Sequence, residues 1–347
     1  MKNYTFVDYA TQGYLLVVAL LVLIFHNERA PLGFYLIGAH CAAVLLIHVL
    51  IRFHASRRPG RFLDFLRYFY PILLFTGFYR ETGALHHLFF ADYLDPWLIR
   101  LEQGLFGIQP SLEFMERLPY LAVSELFYAA YFSYYIMIVG IGIALYIRDR
   151  NQFFHYISVI SFVFYVCYLT YILLPVVGPR AFYAGVAGYE LSVDIPPEQI
   201  PPYPQAVQKG PFFLVMRSIY HHLEAPGAAF PSSHVAIAIV TVWFSFRYLP
   251  RIRYLHLADV TLLCLSTVYC RYHYVVDVVA GMATAAVLVP IANRLYFRYS
   301  EPPIQRVEFS HSLKTEGNEG NLALGGIVDA SQSDPFGVES SDTHRPG

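Results

Sequence analysis

Two histidines and an aspartate stand at the ends of apolar runs in this chain. Pro231-Ser232-Ser233-His234 lies where a polar loop becomes an apolar run, and Arg271-Tyr272-His273-Tyr274-Val275-Val276-Asp277 heads the next run but one. Asp277 follows His273 by four residues, so in a helix the two side chains share a face one turn apart. The carboxylate can then fix the imidazole tautomer and stabilise its cation. That makes the free ring nitrogen a better nucleophile or base, the logic of a base oriented by a third group. Alone, His-x-x-x-Asp is a weak signal; its weight comes from the cost of keeping charge inside a membrane helix.

The second cluster adds an anion site. A helix starting at Pro231 to His234 presents unpaired backbone N–H groups and a partial positive charge, and anions bind there. Without the histidine, Pro231 would read as a helix starter and Ser232 or Ser233 as an N-cap. His234 places a proton donor beside the bound anion. Arg180, after Gly178-Pro179, and Arg271, two residues before His273, carry guanidinium groups that match phosphate oxygens and stay charged. Arginines at helix ends also snorkel to a headgroup boundary, and only a shared side with the histidines lifts these two above that.

The elements that must position these residues are membrane helices. The chain has 347 residues, 56% hydrophobic and 14% charged, with a mean hydropathy of +0.44, far from the composition of a soluble domain. Charge-free runs cover Tyr9 to Asn27, Ala30 to Ile51, Leu126 to Ile147, Asn151 to Pro179 and Ala225 to Phe246, each about as long as the roughly 20 residues that span hydrocarbon. Weaker runs centre on Tyr68 to Tyr79, Tyr254 to Cys270 and Tyr274 to Ala292. The expected fold is an all-α polytopic bundle of about eight transmembrane helices. The first run has no small-residue cleavage site before Asn27 to Pro31, so it is expected to remain as an anchor.

The four cysteines, Cys41, Cys167, Cys264 and Cys270, lie within or beside apolar runs without metal-type spacing. The net charge of −1 gives no reason to expect a nucleic-acid partner. The distribution of charge says more. With eight spans, one side receives the N-terminus, the Arg52 to Arg67, Arg148 to Arg150 and Arg247 to Arg253 connections and the C-terminal tail, which together hold most of the lysines and arginines. That side is expected to be cytoplasmic. Arg180, Pro231 to His234 and Arg271 to His273 then share the opposite, extracytoplasmic or lumenal, side.

In chain order, residues 1–60 supply two anchoring helices. His40 and His48 share a helical face, and with nothing acidic beside them they read as histidines satisfied against a neighbouring helix. Residues 61–299 form the catalytic-type membrane domain. Within it, Arg80 to Tyr120 reads as an amphipathic segment on the outer surface, serving either as packing or as a wall of the site. A loop of about 55 residues joins Pro175 to Ala229, and loops that long are usually functional. Its prolines, from Ile195 to Pro204, should form a stiff cover, and Phe212 to Leu223 can form a short surface helix. The adjacent His221 and His222 do not suit a shared metal. Residues 300–347, rich in Ser, Gly, Asp and Glu, are expected to be a disordered cytoplasmic tail.

Pro231-Ser-Ser-His234 resembles the second motif of the type 2 phosphatidic acid phosphatase superfamily. Ser266, His273 and Asp277 resemble its third, and Leu174 to Arg180 a reduced first. The Tyr272 to Gly281 run, Asp95-Pro-Trp-Leu and Leu105-Phe-Gly are similar to the inositol phosphorylceramide synthase branch. The resemblance covers residues 171–285 best. It implies a six-helix phosphatase-type core, with His273 as the nucleophile that becomes phosphohistidine, Asp277 as its orienter and His234 as the acid that protonates the leaving alkoxide. Arg180, Arg271 and the Ser232-Ser233 backbone would hold the phosphate, with neither metal nor other cofactor. Where the family has a lysine, an arginine and a proline, this chain has Leu173, Thr267 and Ala181, so the phosphate grip would pass to Arg271, Lys209 or Arg217.

The resulting expectation is an integral-membrane lipid phosphatase or phosphotransferase acting on a lipid phosphate or phosphodiester. Water or an alcohol as acceptor separates the two, and the resemblance leans toward head-group transfer, such as inositol-phosphate transfer to a sphingolipid-like acceptor. The alternative is a proton-coupled transporter using His234, His273 and Asp277 as a relay, with Asp259 as its further buried acid.

Overall fold

A computed structural model describes residues 3–56, 60–183, 201–223 and 227–299 of the chain. The expected tail and most of the proline-rich cover lie outside the described residues, as do residues 57–59.

Twelve α-helices account for most of the described residues. They are α1 (Phe6–Phe25), α2 (Gly33–Ser56), α3 (Arg61–Leu85), α4 (Asp95–Phe106), α5 (Pro110–Arg117) and α6 (Leu121–Arg148), then α7 (Arg150–Leu173), α8 (Pro179–Tyr183), α9 (Pro211–Leu223), α10 (Ser233–Tyr248), α11 (Arg253–Tyr269) and α12 (Val275–Tyr299). Each of the eight apolar runs falls largely within one of these helices, and α1, α2, α6, α7 and α12 are long and apolar enough to cross a membrane. The other three fall short of that measure for visible reasons. α10 and α11 have 16 and 17 residues, and α3 carries Arg61, Asp64, Arg67, Arg80 and Glu81.

The helix ends follow local chemistry. Thr5 and Asp8 form a capping box at α1, the Asp149 side chain accepts from the Asn151 amide at α7, and Ser232 Oγ accepts from the Val235 amide at α10. α7 is the central helix, buried on nearly every face from Phe153 to Ile172. α2 is peripheral and buries only Gly33, His40, Ile47 and Ile51.

Two buried polar networks fasten α1 and α2 to the bundle. Arg67 of α3 places both terminal nitrogens on the Asp8 carboxylate, at 3.0 and 2.6 Å, and Tyr70 donates to the same group at 2.7 Å. Glu81 of α3 accepts from Tyr14 of α1 and meets His40 Nε2 of α2, both at 2.7 Å. His40 is thus satisfied against a neighbouring helix, as its sequence context suggests, but its partner is an acid 41 residues away. His48 does not join it; its Nδ1 meets Tyr4 OH at 2.6 Å.

In an apolar interior a charge without its partner is far costlier than the pair. Arg67→Met should therefore destabilise the protein by about 3–5 kcal/mol, read as a lowered unfolding midpoint in detergent. Adding Asp8→Leu should recover part of the loss, and an additive double variant would refute the pairing.

Candidate active site

The three stretches singled out in the sequence meet at one end of the bundle. The end of α7 and the approach to α10 run side by side: the Ala229 amide donates to Val176 O at 2.8 Å, and the Val176 amide to Gly227 O at 3.3 Å. From there the Arg180 amide donates to Arg271 O at 2.6 Å and the Ser232 amide to Asp277 O at 3.0 Å. These bonds fix the turn after α7, the start of α10 and the α11–α12 connection against one another.

Two glycines permit the close approach. Gly178 has φ +92°, and a Cβ there would stand 2.6 Å from Tyr272 O. Gly281 of α12 lies where a Cβ would stand 2.5 Å from Ser232 O. Only glycine allows both the left-handed backbone of the first and the backbone contact of the second.

His273 sits in the connection between α11 and α12, its amide bonded to Thr267 O at 3.0 Å. Asp277, in the first turn of α12, reaches back with Oδ2 to the Tyr274 amide at 2.9 Å and to His273 Nδ1 at 3.4 Å. The first contact is the helix-capping half of the arrangement; the second is long for a hydrogen bond but turns the imidazole so that Nε2 faces outward. That Nε2 lies 3.3 Å from His234 Nδ1. Burial lowers the His273 pKa to about 3, opposed by a backbone bond to Ala229, so the ring is neutral at ordinary pH and its Nε2 can offer a lone pair.

The expected phosphate-binding groups are placed less uniformly. Ser232 serves as the N-cap, and its amide and that of Ser233 are taken by Asp277 O and by Tyr171 OH at 3.1 Å. What Ser233 offers the site is its side chain, which lines a cavity together with His234. Arg271, at φ +61°, donates to Pro201 O at 2.6 Å and pairs with Glu116 at 3.3 Å. Its guanidinium therefore holds Pro201, in the described part of the proline-rich segment. The Arg180 guanidinium lies over the Tyr220 ring, 4.7 Å from its centroid, and 5.7 Å from that of Tyr272. Lys209 and Arg217 are exposed. Thr267, where the family pattern has arginine, is buried, and its carbonyl accepts from the Tyr272 and His273 amides.

α4 lies in the segment whose sequence suits either packing or a wall of the site, and it places two acids beneath His273 and its neighbours. Asp95, wholly buried, accepts from the Val177 and Gly178 amides at 2.8 and 2.9 Å and from Tyr274 OH at 3.0 Å. Glu102 accepts from the Val276 amide of α12 at 3.1 Å. Their seven-residue spacing, two turns of helix, was the signal that both face the same way. Burial pushes both carboxyls up to about 7. The two differ in partners, for Asp95 has three donors whereas Glu102 Oε2 is buried without one.

The cavity beside His234 has a volume of about 270 Å³. Phe75 of α3, Ile138 and Val139 of α6 and Phe164 of α7 line it, with Ser233 and His234 in its wall. It is an apolar chamber in contact with polar chemistry, the usual make-up of a site for an amphipathic ligand.

A family model described as the PAP2 superfamily matches residues 96–291. The inositol phosphorylceramide synthase catalytic subunit aur1 of Schizosaccharomyces pombe is 37% identical over 67 residues, covering 19% of this chain and 16% of that protein. No solved structure matches.

Two outcomes follow from this geometry. Gly178→Ala should abolish activity, because its Cβ displaces the Tyr272 carbonyl beside His273; wild-type turnover in that variant would refute the close approach. The Glu102 carboxyl, raised above its ordinary 4.5 to about 7 by burial and then by the Asp277 charge, holds its proton more tightly in the folded than in the unfolded chain. Stability should therefore fall as pH rises from about 4.5 through about 7. The unfolding midpoint of Glu102→Gln, neutral throughout, should fall less between pH 5 and 8 than that of the wild type, and equal slopes would overturn the assignment.

Proposed function

The chain belongs to the PAP2 superfamily, and from that premise we propose that it is an integral-membrane lipid phosphotransferase or phosphatase working through phosphohistidine. The observation that carries this reading is the facing pair His273 Nε2 and His234 Nδ1, 3.3 Å apart, with Asp277 behind His273. A neutral nucleophile and a proton donor then stand at one site; an in-line displacement needs phosphorus between them, with His273 on one side and the leaving oxygen and its proton donor on the other, so the two rings part to admit the phosphoryl group.

In the first step His273 Nε2 attacks phosphorus, the bond from phosphorus to the leaving oxygen breaks, and that oxygen takes a proton from His234. Asp277 stabilises the imidazolium character that develops on His273. In the second step a water or alcohol hydroxyl attacks the phosphohistidine, its proton passes to His234, and the nitrogen–phosphorus bond breaks. Positive charge from Arg180 supports the phosphoryl oxygens, the role that preorganised donors play in such transition states. The apolar cavity takes the hydrocarbon part of the substrate, and the segment around Pro201, held by Arg271, covers the site.

The similarity to a fungal inositol phosphorylceramide synthase subunit favours an alcohol-bearing lipid as acceptor, so that the product is a new phosphodiester lipid. The basic connections at the far end of the bundle, including Arg148, Arg150, Arg247, Arg251 and Arg253, favour a cytoplasmic placement for that end and an extracytoplasmic or lumenal site.

Purified protein in detergent should move label from a phosphorus-labelled phospholipid into a second lipid when an alcohol-bearing acceptor is present, and into inorganic phosphate if water is the acceptor. Acid-labile label should appear on the wild-type chain and not on His273→Ala. His234→Ala should slow lipid donors far more than nitrophenyl phosphate, whose leaving group needs no proton. Full turnover by His273→Ala would refute the nucleophile, and no transfer from any donor would return attention to a proton relay.

A further inference from the structure

Resting on that reading, we propose that Tyr131 is a positioning residue that decides which nitrogen of His234 carries the transferred proton, and that Tyr220 ties this choice to the cover helix α9. Tyr131 lies on α6, is wholly buried, and sets its hydroxyl 3.0 Å from His234 Nε2. Tyr134, on the next turn, packs its ring 4.4 Å from the same imidazole, while the Tyr131 ring lies at 4.9 Å. Two aromatic rings of one helix thus pack against the imidazole, and the hydroxyl of one of them meets its Nε2.

The consequence follows from the donor and acceptor rules of the two groups. Neutral imidazole has one N–H and one lone pair, whereas a phenol can donate or accept. When His234 is a cation, both ring nitrogens carry protons and Nε2–H donates to the phenol oxygen. Nδ1, 3.3 Å from the nucleophile, then holds the proton that passes to the leaving oxygen as the phosphorus–oxygen bond breaks, and the ring is left neutral with its remaining proton held on Nε2 by Tyr131. The bare Nδ1 takes the proton of the incoming hydroxyl in the second step, His234 returns to the cation, and Tyr131 ends as it began.

Tyr131 has a second hydroxyl partner, Tyr220 OH of α9. The Tyr220 ring stacks on Tyr272, with centroids 4.3 Å apart and planes 9° from parallel, directly before the nucleophile in sequence. The Arg180 guanidinium lies 4.7 Å from the Tyr220 centroid and 5.7 Å from that of Tyr272. α9 is itself pinned to α6, where Glu125 accepts from the Phe212 and Phe213 amides at 2.7 and 3.2 Å. A chain of hydroxyls therefore runs from α9 to the acid, and a properly seated α9 turns the Tyr131 proton toward Tyr220 and its lone pair toward Nε2–H of His234.

The test is the leaving-group dependence of Tyr131→Phe, which keeps the ring and removes only the hydroxyl. The expected result is a loss in kcat of about tenfold to a hundredfold with a lipid or other alkyl phosphate donor. KM should change little, and activity on nitrophenyl phosphate should be near wild type. Tyr220→Phe leaves the Tyr131 hydroxyl in place and should show a smaller loss of the same pattern. A merely structural role would lower both substrates together, so equal losses on both, no loss on either, or a change confined to KM would overturn the proposal. Should Tyr131→Phe not fold, the same split in Tyr220→Phe decides the matter. The parent reading fails separately: His273→Ala would then remain active, or His234→Ala would show no leaving-group dependence.

Discussion

Asp277 is wholly buried at the start of a membrane helix, and one of its oxygens serves two donors, the Tyr274 amide and the His273 ring. A carboxylate in such a place is costly, because neither lipid nor the packed interior replaces its hydration. The positive end of α12 is the compensation that the backbone provides. Everything near the site respects this constraint: His273 must precede Asp277 by about one turn, and α12 must press close enough for the Asp277 carbonyl to meet the Ser232 amide.

The supporting layer repeats the same solution with other acids. Asp95 satisfies the amides of the turn after α7, and Glu102 satisfies an amide at the start of α12. Each side chain takes the place of water for backbone groups that no helix ladder can serve. α4 thereby works as a clamp between the first and third sequence motifs. The glycines act in the opposite sense, removing atoms where two backbones have to touch. At the other end of the chain, Asp8–Arg67 and Glu81–His40 fasten the first two helices by pairing rather than by helix dipoles.

Much of this was legible in the sequence. The eight apolar runs marked the long helices, and Asp277 four residues after His273 marked the orienting pair. The capping role of Ser232 was available as the plain reading of Pro-Ser-Ser, and it is the one that the structure adopts. Other assignments depended on partners far away in the chain. Arg271 lies two residues before His273 in sequence, yet its side chain bonds to Pro201 and Glu116. His40 finds Glu81, and His234 finds Tyr131, 103 residues away.

Sequence by itself determined what periodicity and local spacing control: an apolar helical bundle, the places where its helices begin, and the one-turn relation between His273 and Asp277. Those follow from backbone geometry within a few residues, which any local stretch carries with it. Tertiary structure alone decided that His234 meets His273, that Tyr131 takes the outer nitrogen of His234, and that Asp95 and Glu102 stand under the site. A helix fixes the direction of its side chains relative to its own axis, but not its rotation about that axis or its neighbour. Those are set by the packing of all the helices together, which no local pattern contains.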